Sequence, residues 1–185
     1  MITREEALTI LNQHVSSVAM IKHSIASEAV LRAIAVHLKE DEEAWALAGL
    51  LHDVDVEFTH GDPKTHGTLT PQLLSSFDIP TDVIEAIVMH NEDAAPRLRA
   101  TKLEHALAAG ETITGLIMAT AFVYPDRKLA SVKTKSITKR MREKNFAASV
   151  KRENILECEE IGIPIDQFAQ LSLTAMNEIA SELGL

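Results

Sequence analysis

A histidine followed by an aspartate closes an apolar, helix-like run, LAGLLHDVD, and this pair, His52–Asp53, limits what the chain can fold into. Imidazoles and carboxylates are costly to bury unless they find partners. The same conflict recurs along the chain. His23 in KHS, His66 in THG, His90 in MHN and Glu111 in AGETITG each sit within or beside a segment that otherwise reads as a buried helix. One arrangement resolves all of these together: the helices pack so that the groups converge on one or two divalent metal ions.

The rest of the chain supplies those helices. Thr3 is placed to cap REEALTILNQHV, with Glu6 three residues on in the capping-box position. Ser24 to Leu38 carries Ile25, Ala29, Ala33 and Val36 at helical spacing, which predicts an inward stripe. Asp41 opens EEAWALAGLLHD, and the helical pattern fails in the polar segment ending THGDPKTHG. Thr70–Pro71 reads as a cap followed by proline at the first helical position of PQLLSSF. Pro80–Thr81 starts TDVIEAIVMH, which stops at Asn91, and a long apolar stretch runs from Leu103 to Tyr124. A basic helix near Ser136–Lys144, a short one around Arg152–Ile161 and a closing amphipathic helix from Asp166 to Leu185 complete the chain. No alternating strand pattern or Asn-Gly hairpin signal occurs. The expectation is an all-α fold, one domain over residues 1–185, with a basic helical extension from about residue 127.

Charge and cysteine usage narrow the partners. Lys+Arg 18 against Asp+Glu 27 gives a net charge of −9, a poor overall match for a nucleic-acid backbone. The single cysteine, Cys158, excludes an intramolecular disulfide and fits a reducing compartment. No apolar run approaches the roughly 20 residues that span a bilayer, and the start MITREEAL lacks the apolar region of a signal peptide. A cytoplasmic protein with no membrane partner is expected, and a homo-oligomer stays open.

Consecutive residues of a helix point about 100° apart. His52 and Asp53 can therefore serve one ion only near a helix end, with the other ligands donated by facing helices, as bundle cores do. Nitrogen and carboxylate donors without thiolate suit Fe, Mn, Zn or Co.

In order, the residues run His23, His52–Asp53, His66, His90, Glu111. This resembles the H…HD…H…H…D series of the HD-domain superfamily of metal-dependent phosphohydrolases, and within it the small bacterial HDIG-type proteins. The resemblance runs from about Ala7 through AGETITG and continues into KTKSITKRMREKNFAASVKRE. It implies an HD-type helical bundle, with H…HD…D alone holding one metal and the two extra histidines a second, as in HD-GYP phosphodiesterases and diadenosine-tetraphosphate hydrolases. On that pattern His23, His52, Asp53 and Glu111 hold one ion and His66 and His90 the other, with Asp53 bridging them and acting in catalysis. Two departures stand out: HDVD replaces HDIG, and Glu111 occupies a position where the superfamily usually has aspartate.

Arg127 to Arg152 holds ten of the eighteen basic residues against one acid, Glu143. This is either a solvated helix face or a source of phosphate ligands, with Lys133 and Lys135 the candidates. With one Trp and one Tyr in the chain, stacking on nucleic-acid bases is not expected. The implied function is metal-dependent hydrolysis of a phosphate ester or phosphoanhydride, a nucleotide being the expected small-molecule substrate. The alternatives are a one-metal nucleotide phosphatase, with His66 and His90 on the substrate phosphate, and a non-catalytic HD domain that senses a nucleotide or metal. Asp55, Glu92 and Asp93 lie near the ligands and can orient imidazoles.

Overall fold

The first helix, α1 (Arg4–His14), begins with the cap its sequence specifies: the Glu6 amide donates to Thr3 Oγ1 at 3.3 Å, and the Thr3 amide to the Glu6 carboxylate at 2.7 Å. The computed structural model describes all 185 residues. Ser17 caps α2 (Val18–Leu38), and Asp41 caps α3 (Glu42–Leu51) by accepting from the Glu43 and Ala44 amides. After the Thr59–Gly67 segment come α4 (Thr70–Leu73), α5 (Thr81–Met89) and α6 (Lys102–Phe122), the last with a second capping box between Thr101 and Glu104. The C-terminal part holds α7 (Thr134–Arg140), α8 (Arg152–Leu156), α9 (Ile165–Glu178) and α10 (Ala180–Leu183), with two single-turn helices at Leu129–Ser131 and Glu157–Glu159. There is no strand, and no helix is long and apolar enough to cross a membrane.

The two 21-residue helices, α2 and α6, form the centre. Helix α2 packs on α3, α6 and α9, while α6 also meets α5 and α8. One continuous cluster of buried apolar side chains runs from Ala7 to Leu183 and includes Leu129, Ile137, Ile155 and Phe168. The basic segment from residue 127 is thus folded onto the same core as the rest.

Several local expectations need correction. On α2 the buried apolar side chains are Ala26, Val30, Leu31, Ile34 and Ala35; Ile25, Ala29 and Ala33 are half-buried and Val36 is exposed. The helix is apolar nearly all round, so its period marks no single face. Thr70 is the first residue of α4 rather than its cap; its hydroxyl is buried and finds no partner. Helix α4 then stops after four residues. The basic helix ends at Arg140, short of Lys144, and the closing helix breaks at Ile179.

Candidate metal centre

Two glycines set the distances between the helices that carry the ligands. A Cβ on Gly49 of α3 would lie 2.6 Å from the Ser27 carbonyl oxygen of α2, so the two backbones touch there. One turn later α3 ends, with His52 as its final cap residue and its Nδ1 donating to the Gly49 carbonyl at 2.8 Å. On α6, a Cβ on Gly110 would lie 2.5 Å from Leu31 Cδ2 of α2, and Glu111 is the next residue. Helix α2 itself brings His23. Close approach at Gly49 and Gly110 thereby gathers His23, His52, Asp53 and Glu111 around one point.

His66 and His90 come from the other side. His90 is the final cap of α5, and its Nδ1 donates to the Ile87 carbonyl at 2.6 Å. His66 lies in the irregular stretch after α3, which is fixed by the fully buried Asp55. That carboxylate accepts from the Gly67 amide at 2.8 Å, the Leu69 amide at 3.0 Å and His66 Nδ1 at 2.8 Å. Gly67 has φ +93°, a conformation that glycine adopts without strain. Asn91 ties the same stretch down by donating to the carbonyls of Pro63 and His66.

Of the six candidate ligands from the sequence, the four histidines meet around Asp53, and Glu111 lies beside His23. Its Oδ2 lies 3.3 Å from His52 Nε2 and 3.7 Å from His23 Nε2, while Oδ1 lies 2.8 Å from His66 Nε2 and 3.8 Å from His90 Nε2. Two three-residue groups can each hold a metal ion, His23–His52–Asp53 and Asp53–His66–His90, and Asp53 belongs to both. Glu111 Oε2 sits at the first group's edge, 3.6 Å from His23 Nε2.

The donor chemistry fits divalent cations. In all four rings Nδ1 is occupied outside the cluster: by Gly49 O, Ile87 O, Asp55, and, for His23, the Thr114 hydroxyl at 2.9 Å, which itself donates to the Glu111 carbonyl. The Nε2 atoms turn inward, with His23 and His52 3.2 Å apart and His66 and His90 3.1 Å apart. Nitrogens so close repel unless a proton or a cation lies between them. Protons are unevenly shared here. Burial would lower His66, but hydrogen bonds to Asp53 and Asp55 push it up to about 10. Burial, together with charge on His52 and His66, pushes His90 down to about 4. Burial opposes ionisation of Asp53 and Glu111 too, yet the surrounding imidazoles hold both below the usual carboxylate range.

Above this cluster opens a cavity of about 290 Å³. Its far wall is Ser149, Val150 and Lys151 from the loop between α7 and α8, with Asn154 of α8 and Glu92 beside them. Val150 leans on α6 where Gly115 leaves room, its Cγ2 3.5 Å from the site of a Cβ. Lys151 Nζ donates to Glu92 and, at 2.6 Å, to Asp93. Burial would raise the Glu92 carboxyl, but bonds from Lys151, Asn154 and Arg99 bring it to about 2.

Lys133 and Lys135 do not reach this cavity. Both are exposed; Lys133 lies at the start of α7, and Lys135 lines a separate groove with Lys139 and Arg142. Ile137 is buried in the core, where α7 packs on α9, and this points the lysines of that turn elsewhere. The basic segment does supply a cation to the site, but it is Lys151. The segment of ten basic residues signalled this contribution; nothing in the local sequence distinguished Lys151 within it.

A family model described as the HD domain matches residues 20–119, which is 100 of the chain's 185 residues. The chain belongs to the HD domain family. HD domains are metal-dependent phosphohydrolases that bind divalent metals, and all six clustered residues of this HD domain fall within the match, whereas Lys151 lies beyond it. Among curated proteins, the chain is 31% identical over 77 residues to Ribonuclease Y of Acholeplasma laidlawii and 30% identical over 78 residues to Ribonuclease Y of Oleidesulfovibrio alaskensis. Each alignment covers 42% of this chain and 15% of the relative, so the chain spans a small part of those proteins. No solved structure matches.

Proposed function

We propose that this HD domain is a two-metal phosphohydrolase acting on a phosphate ester or phosphoanhydride of a nucleotide. The observation that carries the reading is the division of Asp53, one oxygen facing His52 and His23 and the other facing His66 and His90. Divalent ions bound there supply positive charge that polarises phosphoryl oxygens and makes water acidic enough to act as a nucleophile near neutral pH. Asp53 orients the two histidine pairs toward one another across its carboxylate. Asp55, Gly49 and Ile87 hold the rings so that Nε2 faces the centre, and Glu111 completes the His23 side. Of the cavity lining, Val150 is the one aliphatic side chain, and no Phe, Tyr or Trp faces it. Recognition therefore rests on phosphate and hydroxyl groups rather than on stacking a base.

The name of the two relatives, ribonuclease, favours a second reading in which the bond cleaved is an RNA phosphodiester. Elemental analysis of the purified chain, joined to turnover of p-nitrophenyl phosphate, bis(p-nitrophenyl) phosphate, nucleotides and a short RNA, tests both readings. Two equivalents of metal with turnover of a nucleotide support the first, and turnover of RNA alone supports the second. Stoichiometric metal with no turnover of any compound overturns both.

A further inference from the structure

The loop of residues 141–151 is built of turns, in which the Glu143 and Ala147 carbonyls accept from the Phe146 and Val150 amides. One side chain draws these turns together. Arg152 Nη1 donates to the carbonyls of Ala147 and Val150, both at 2.6 Å, and Nη2 to those of Phe146, Glu143 (3.4 Å) and Arg140 (3.5 Å). The Arg140 guanidinium covers the Phe146 ring at 3.8 Å, and Ala147 takes φ +44° to bring the chain around. A planar guanidinium with a fixed fork of donors suits this task, and an ammonium group does not reproduce it.

The loop so gathered places Ser149, Val150 and Lys151 across the cavity from the histidines. Lys151 is the one Lys or Arg in the cavity lining, which also holds the carboxylates of Asp53, Glu92 and Glu111. An anion entering this cavity needs a cation on the loop side as well as any at the metal groups. Lys151 is half-exposed, and Asp93, one of its two partners, is an exposed side chain outside the cavity lining, so this hold exchanges readily.

We propose that the Arg152-clasped loop is the phosphate-binding wall of the site, with Lys151 giving up Asp93 to donate to a phosphoryl oxygen. Arg152 is the positioning residue that keeps Lys151 and Ser149 over the histidines. The proposal rests on the phosphohydrolase reading, which supplies the phosphate, but its test does not depend on turnover.

The test is calorimetric titration of inorganic phosphate into the manganese-loaded full chain. Lys151→Gln should weaken binding about tenfold, and Lys151→Arg should restore most of it, with metal content unchanged. Asp93→Asn should strengthen binding about threefold, because Lys151 loses a competitor. A purely structural lysine predicts the opposite sign, since that change would only loosen the loop. Arg152→Lys should weaken phosphate binding as Lys151→Gln does and speed amide exchange across residues 143–150. Lys151→Gln and Asp93→Asn leave the clasp intact and decide the phosphate assignment by themselves. Phosphate binding within about twofold of wild type in Lys151→Gln, or weakened in Asp93→Asn, overturns it. If the variants show these shifts yet the wild-type chain turns over no substrate, the phosphohydrolase reading is overturned and the wall stands.

Discussion

The Asp55 carboxylate accepts a hydrogen bond from His66 Nδ1 at 2.8 Å, and this one bond decides which nitrogen of the ring faces Asp53. Asp55 also holds the Gly67 and Leu69 amides, so it fixes both the ring and the chain that carries it. Asp55→Asn keeps the shape while weakening the acceptor. Such changes behind a ligand reduce metal affinity by about 10–100-fold. The expected outcome is a variant that folds, keeps one equivalent of metal after dialysis and loses the second, as read by elemental analysis.

Truncating ligands on either side of Asp53 should have separable effects. His52→Ala is expected to empty the His23 side, and His66→Ala or His90→Ala the other, each leaving about one ion. Asp53→Ala serves neither side and should lose both ions along with all turnover. Full metal content in Asp53→Ala would remove the shared-carboxylate arrangement from consideration.

Gly49 and Gly115 give opposite expectations for the same substitution. A methyl group at Gly49 meets the Ser27 backbone at 2.6 Å, which no rotamer change relieves. Gly49→Ala should cost about 3 kcal/mol or more, lowering Tm by roughly 10 °C, and shift His52 enough to weaken metal binding. At Gly115 the nearest atom is Val150 Cγ2 at 3.5 Å, an ordinary contact. There the helix preference for alanine should stabilise the protein by up to about 1 kcal/mol. Thermal melts of the two variants check both signs.

Glu104 ties the α6 capping box to Arg97, accepting from both guanidinium nitrogens at 2.6 and 2.9 Å and from the Ala100 amide at 2.7 Å. Arg97, aided by the Ala100 and Thr101 amides and opposed by burial, holds the carboxyl at about 2. Because the folded value lies below the unfolded one, near about 4.3, its stabilisation is complete above that pH and is lost as pH falls toward 2. Glu104→Gln should therefore destabilise at pH 7 by about 2 kcal/mol. The gap between variant and wild type should close as pH falls through that window, which urea midpoints at several pH values would follow.

The caps at Thr3 and Asp41, and Asp53 with the four histidines and Glu111 near it, were legible because each rests on a short-range rule or on an unusual residue in an apolar setting. The buried face of α2 was not: with apolar residues on all sides, only packing against α3, α6 and α9 selects Val30 and Ile34 over Val36. Lys151 was hidden for a related reason. Ten basic residues share one segment, and which of them meets the cavity depends on the carbonyls that Arg152 collects, a contact that no local pattern encodes.

The backbone contact at Gly49 has a consequence for how such a site can diversify. A separation set by the repulsive wall between two main chains barely responds to side-chain exchange, so the spacing between the α2 and α3 ligands is nearly a constant of the fold. Adjustment is left to the reach of individual donors. At position 111 a glutamate carries its carboxylate one methylene further from the backbone than an aspartate would, so side-chain length alone moves an oxygen there without moving a helix.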